Sequence, residues 1–161
     1  MAEEPQWLTL EQQRAWRAYL ESNLLLFDAL DRQMQQDSGM PHGYYEILVR
    51  LSECPGRAMR MSELAVSTRS SRSRLSHAVA RLEERGWVER LDCASDRRGQ
   101  VAHLTDEGYR VLESAAPGHV SAVRANMIDL LTPEQIRTLE QIGRAMLEHL
   151  APEACAQRAA D

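Results

Sequence analysis

The 161-residue chain contains no lysine: its 19 basic side chains are all arginine. Every positive side-chain contact it can make at neutral pH, histidine aside, is therefore a planar guanidinium suited to bidentate hydrogen bonding. Aromatics are scarce as well, with one Phe, three Trp and four Tyr. The core must come from Leu, Val, Ile, Met and Ala, which suits packed helices. Three cysteines, Cys54, Cys93 and Cys155, occur without C-x-x-C spacing, an arrangement that fits a reducing compartment and argues against a disulfide framework. No apolar run exceeds Leu24 to Phe27, far short of the roughly 20 residues that cross a bilayer. The first residues include Glu3, Glu4 and Pro5 instead of a basic-then-apolar signal, so a cytoplasmic protein without membrane association is expected. No Gly-rich phosphate loop, G-x-S-x-G, H-E-x-x-H or carboxylate pair with a supporting histidine is found, so no catalytic residue is assigned and an enzyme has no support. The five histidines, His42, His77, His103, His119 and His149, lack metal-ligand spacing, and neither metal nor cofactor is implied.

A length of this order makes one ordinary globular domain with a sizeable core. The formal net charge of -5 looks unfavourable for a nucleic-acid partner, but its distribution changes that. Residues 1–56 hold 4 arginines against 9 acids, residues 57–110 hold 11 against 8, and residues 111–161 hold 4 against 7. The acid excess lies in the two ends, and the middle is net positive. Such an asymmetry steers a polyanion onto the centre of the chain.

Local signals order the elements. Thr9-Leu10-Glu11-Gln12 reads as a capping box. From Trp16 through Leu20, Leu24, Phe27 and Leu30 to Met34, apolar residues recur at helical spacing until Ser38-Gly39, which predicts one long amphipathic helix. Pro41 suits a first helical turn, and a second helix carries Tyr45, Leu48 and Val49 up to Pro55-Gly56. A short third helix spans Met61 to Val66. Ser70 or Ser71 caps a fourth, lined by Leu75, Ala78, Val79 and Leu82 and ended at Gly86. Trp87 to Leu91 and Gln100 to Leu104 read as a strand pair joined by a polar loop. Thr105-Asp106-Glu107 starts a fifth helix that is expected to bend, not end, at Pro117-Gly118. Thr132-Pro133-Glu134-Gln135 caps a sixth, with Ile136, Leu139, Ile142, Met146, Leu147 and Leu150 as one stripe. The expected fold is mainly α with a small β-hairpin wing: a winged helix-turn-helix flanked by long dimerisation helices.

In that order of elements the fourth helix is the one that enters a major groove, and the hairpin reaches the neighbouring minor groove. Taking Leu75 as the core direction, Ser73, Arg74, His77, Arg81 and Glu84 fall on the opposite face. Four arginines, Arg69, Arg72, Arg74 and Arg81, occur between 69 and 81 without an acid. They lie toward the positive end of the helix, with the hydroxyls of Ser70, Ser71 and Ser73 beside them, a combination suited to phosphate. At the hairpin tip Asp96-Arg97-Arg98 places two guanidiniums on a narrow turn. An arginine there fits a narrow, electronegative groove, and the aspartate can hold its pose.

Met61-Ser62-Glu63-Leu64-Ala65, Ser71-Arg72-Ser73-Arg74-Leu75-Ser76, Arg81-Leu82-Glu83-Glu84-Arg85-Gly86-Trp87-Val88-Glu89-Arg90 and the D-x-R wing Asp96-Arg97-Arg98 together resemble the MarR family of bacterial regulators over nearly the whole chain. The resemblance implies a homodimer whose first and last two helices interlace, and paired winged domains on a pseudo-palindrome of double-stranded DNA. It also implies residues 1–40 and 106–161 as dimerisation helices around a DNA-binding domain, 41–105. The carried-over recognition residues are Ser73, Arg74 and His77 for bases, with Arg98 entering the minor groove beside Asp96. Arg69, Ser71, Arg72, Arg81 and Arg97 complete the DNA-contacting set. The chain departs from the common pattern at Arg69, where a turn glycine is frequent, and at His77, where arginine is usual. Trp16, Tyr19, His42, Tyr44 and Tyr45 concentrate on the first two helices. They read either as helix packing or as a pocket for a small aromatic or phenolic effector, which the family often binds. The expected function is a ligand-responsive repressor. The alternatives are a thiol redox switch on Cys54 or Cys93, and a dimeric helical scaffold without DNA affinity.

Overall fold

The computed structural model describes residues 5–92 and 99–151. It divides into two compact units, Met1–Ala122 and Val123–Asp161. In the first unit helix α1 runs from Leu10 to Ser38, about 43 Å at 1.5 Å per residue. Its capping box is formed in full. Thr9 Oγ1 accepts the Gln12 backbone N–H at 3.2 Å, and Gln12 Oε1 accepts that of Thr9 at 2.9 Å. The helix ends at Gly39, whose left-handed φ of 61° is open to glycine without penalty. Pro41 precedes helix α2, His42–Ser52, in an extended conformation and thus stands just outside the first turn, not within it.

A 3-10 turn, Pro55–Arg57, leads into strand β1, Ala58–Arg60, then α3, Met61–Ser67, and α4, Arg72–Glu84. Strands β2, Val88–Asp92, and β3, Gln100–Leu104, follow. The antiparallel sheet has the order β1-β3-β2, with Arg90 opposite Ala102 and Met59 opposite that same residue from the other side. The hairpin was legible in the sequence. β1 was not, because three residues carry no alternation and this strand exists only as an addition to the free edge of β3.

Helix α5, Asp106–Asn126, continues through Pro117. Its start is fixed by Thr105, whose Oγ1 accepts the Gly108 N–H at 3.0 Å while its own hydroxyl lies 2.7 Å from the Gly86 carbonyl. A methyl group on Gly108 would stand 2.0 Å from the Trp87 carbonyl oxygen, so only glycine lets α5 approach the β2 entry this closely. The core of this unit gathers Met34, Met40, Leu48, Leu51, Leu64, Leu75, Val79, Leu82, Val88, Ala102 and Leu104, with Leu112 and Ala115 from the first half of α5.

The second unit contains the end of α5, a 3-10 turn Ile128–Leu130, and helix α6, Pro133–Leu150. Thr132 and Gln135 form the second reciprocal capping box, at 3.2 and 2.8 Å. The apolar stripe of α6, expected to serve dimerisation, is left open among the described residues: no residue of α6 is buried, and Ile142 and Leu150 are 51% and 67% exposed. The outer part of α1 behaves alike, with only Leu30 and Met34 buried and Leu24 69% exposed. No helix among the described residues is long and apolar enough to cross a membrane.

Candidate nucleic-acid interface

The turn between α3 and α4 closes with two reverse hydrogen bonds. The Ser70 N–H donates to the Ala65 carbonyl at 2.9 Å and the Arg69 N–H to that of Val66 at 3.1 Å, the pattern of a Schellman ending. Its left-handed position, normally glycine, is occupied by Arg69 at φ 50°. A β-carbon in that region costs about 1 to 2 kcal/mol. The strain aims an arginine outward at the mouth of the turn. Ser71 then caps α4, its hydroxyl oxygen accepting the Arg74 N–H at 3.2 Å. The Ser71 oxygen is therefore committed to the helix, while its proton remains available to an anion.

Helix α4 is divided lengthwise as its 3.6-residue period requires. Leu75, Val79 and Leu82 are buried in the core, whereas Arg72, Ser73, Arg74, Ser76, His77 and Arg81 are exposed. Among the described residues the side chains of Arg69, Arg72 and Arg74 have no ion pair. Arg81 differs. It lies 2.8 Å from Glu84 on the same helix, and that hydrogen bond, then the Glu84 charge, hold its guanidinium protonated even more firmly than usual. The exposed cations thus cluster at the amino end of α4, where the helix dipole adds to them.

Other central arginines serve the fold. Arg57 is 3.0 Å from Asp106 and stacks over the Tyr109 ring at 3.8 Å. Arg85 donates to the Gly39 carbonyl at 3.2 Å and covers the Trp87 ring. Sequence spacing had left Arg57 and Arg85 outside the candidate DNA-contacting set, but it did not bring up Ser62 and Val66 of α3, which line a depression of about 500 Å³ with Arg69 and Arg72. Val66 is 76% exposed at this rim, an apolar surface of the kind that meets a thymine methyl. Asp96, Arg97 and Arg98 lie outside the described residues, between the end of β2 and the start of β3.

The five aromatic and polar candidates on α1 and α2 separate into three places. Trp16 and Tyr19 stack on each other on exposed α1, centroids 6.5 Å apart. His42 and Tyr45 join Phe27 and His119 in a ring cluster, with His42 and His119 at 5.2 Å and Tyr45 and His119 at 4.6 Å. Burial raises the Tyr45 hydroxyl pKa. Burial, then the neighbouring His42, lowers that of His119. Tyr44 lines a separate polar depression of about 430 Å³ with Gln35, Pro41, Arg81 and Arg85. Cys54 is half-buried and donates to the Arg50 carbonyl at 3.2 Å. Burial, with Glu53 and Glu63, pushes its thiol pKa upward, the opposite of a reactive thiolate. Cys93 lies outside the described residues.

A buried-backed helix presenting arginines and hydroxyls after a tight turn, with an antiparallel ribbon beside it, defines a winged helix-turn-helix protein. The family model described as MarR family matches residues 38–99. The chain is 30% identical to the transcriptional repressor MprA of Escherichia coli K12 over 118 residues, 73% of this chain and 66% of that one. That stretch is just under two thirds of the repressor's length. Among solved structures it resembles Sco3205, a MarR family transcriptional regulator from Streptomyces coelicolor in complex with DNA. The TM-score is 0.89 and the identity 58%, over 94% of this chain and 95% of that one. AbsC, a MarR family transcriptional regulator of the same organism, gives 0.86 and 45%, over 92% and 100%. The chain belongs to the MarR family of transcriptional regulators.

Proposed function

We propose that the protein binds a pseudo-palindromic operator as a homodimer in the cytoplasm and represses transcription until a small aromatic or phenolic effector shifts the spacing of its two winged domains. One observation carries the DNA-binding part: the exposed Arg69, Arg72 and Arg74, without an ion pair among the described residues, at the capped amino end of α4, whose other face is locked into the core. In this reading Ser73, Arg74 and His77 meet base edges, Arg69, Ser71, Arg72 and Arg81 hold phosphates, and Arg97 and Arg98 with Asp96 serve the minor groove. Sco3205 is seen with DNA, which supports the same use of this chain's recognition helix.

The homodimer rests on surface physics. Residues 1–40 and 106–161 act as dimerisation segments around the DNA-binding stretch 41–105, because α1 and α6 carry apolar stripes that stay exposed among the described residues. Such faces are covered by a partner, commonly an identical one. Two recognition helices must then sit about 34 to 36 Å apart to enter successive major grooves. The polar depression at Tyr44 and Arg81, which joins the α1–α2 corner to the far end of α4, is the effector position best linked to that spacing.

Selection of bound duplexes from a random pool, followed by a salt titration, tests this. A palindromic consensus and a steep fall of affinity with salt are expected, since each neutralised phosphate adds about 0.9 to the log–log slope. No enrichment and a flat titration would return the protein to a helical scaffold.

A further inference from the structure

Arg90 lies in the arginine-rich centre of the chain, and charge counting alone would place it on a phosphate. The structure puts it elsewhere. β2 is an edge strand, and its outward backbone N–H at Arg90 is taken by Glu83 Oε1 of α4 at 3.1 Å. The other carboxylate oxygen of Glu83 lies 3.1 Å from Arg90 Nε, an electrostatic contact whose angle falls short of a hydrogen bond. The guanidinium then reaches back along α4, and NH2 donates to the Ser76 carbonyl at 2.7 Å. One side chain thus spans two turns of the recognition helix from the base of the wing. Arg90 and Glu83 side chains are 22% and 32% exposed, so the pair is partly withdrawn from water and is weakened by it less than surface pairs are.

We infer that Arg90 is a positioning residue for DNA recognition: gripped by Glu83 and bonded to the Ser76 carbonyl, it sets the angle between the recognition helix and the wing ribbon. The inference rests on the DNA-binding reading above and adds a residue that touches no DNA. Ser76 directly precedes His77 on the exposed face of α4, and β2 leads into the connection that carries Arg97 and Arg98. The grip therefore couples α4 to the base of the wing through a backbone group of each, the Ser76 carbonyl and the Arg90 N–H. A specific site rewards both contacts only when the angle is correct. Non-specific duplex, held by phosphates alone, rewards charge at any angle.

The test measures affinity of the full chain for its selected operator and for a non-specific duplex of equal length, across a salt series. Arg90→Gln is expected to lower operator affinity about tenfold, the order set by one lost charge-assisted hydrogen bond. Non-specific affinity and the salt slope should stay at wild-type values. Glu83→Gln keeps an oxygen for the Arg90 N–H but loses the charge, and should lower the operator-to-non-specific ratio in the same direction. The double variant should lose no more than Arg90→Gln alone, as coupled partners do. Should Arg90→Gln melt below the assay temperature, Glu83→Gln carries the test. Wild-type operator affinity in these variants would overturn the inference. So would equal losses on both duplexes with a salt slope reduced by about 0.9, the signature of a direct phosphate contact. If the wild type binds neither duplex, the DNA-binding reading itself fails, which is distinguishable from failure of the positioning role.

Discussion

Arg69 offers the sharpest separation of stability from function. It occupies the left-handed corner of the α3–α4 turn at φ 50°, a conformation that costs a non-glycine residue about 1 to 2 kcal/mol. Arg69→Gly removes that strain but returns about 0.5 to 1 kcal/mol through the greater freedom of the unfolded chain. The net expectation is a gain of about 0.5 to 1 kcal/mol, or a melting temperature higher by roughly 1 to 4 °C for a chain of this size. DNA binding should move the other way. Loss of one phosphate-facing guanidinium should weaken specific and non-specific duplex alike and lower the log–log salt slope by about 0.9. Calorimetry and fluorescence anisotropy on the same preparation read both. Arg69→Asn, a residue that tolerates the left-handed region, should share the weakened binding with little change in melting. A lower melting temperature for Arg69→Gly would refute the strain account, and unchanged binding with an unchanged slope would refute the phosphate contact.

Gly108→Ala should lower stability by about 1 to 3 kcal/mol or abolish folding, because its methyl group would meet the Trp87 carbonyl at 2.0 Å; a denaturant titration within error of wild type would count against that packing. Arg98→Ala is expected to weaken operator binding by about 1 to 3 kcal/mol without altering sedimentation. Leu24→Arg, on the exposed stripe of α1, should convert a dimer to monomer by analytical ultracentrifugation, and a wild-type monomer at micromolar concentration would remove the homodimer. For His119 the folded pKa is depressed, by burial first and by His42 second. The unfolded chain then binds the proton more readily, so the stability tied to the neutral ring is complete above the unfolded value of about 6.5 and is lost as pH falls below it. The wild type should lose more melting temperature between pH 7.5 and 5.5 than His119→Gln does; parallel losses would show that the ring cluster does not carry this dependence.

What could be read from the chain alone was local. The capping boxes at Thr9–Gln12 and Thr132–Gln135, the cap at Ser71, the left-handed Gly39 and Gly86 and the single buried face of α4 all depend on residues within a turn of one another, and each formed as its spacing required. The departure at Arg69, where glycine is frequent, was visible in the residues, but its left-handed φ of 50° came only with the structure. The charge pattern alone was less informative. Eleven arginines lie between residues 57 and 110, and which of them face outward depends on partners far along the chain: Asp106 for Arg57, Gly39 for Arg85, Ser76 and Glu83 for Arg90. The same holds for β1, which needs the edge of β3, and for the aromatic residues of α1 and α2, which packing distributes over three places instead of one. Sequence periodicity names the face of a helix, but the covering of that face is a long-range event. The stripe of α6 shows the difference: its amphipathic pattern is evident in the residues, and only the tertiary structure reveals that none of its residues is buried among the described residues.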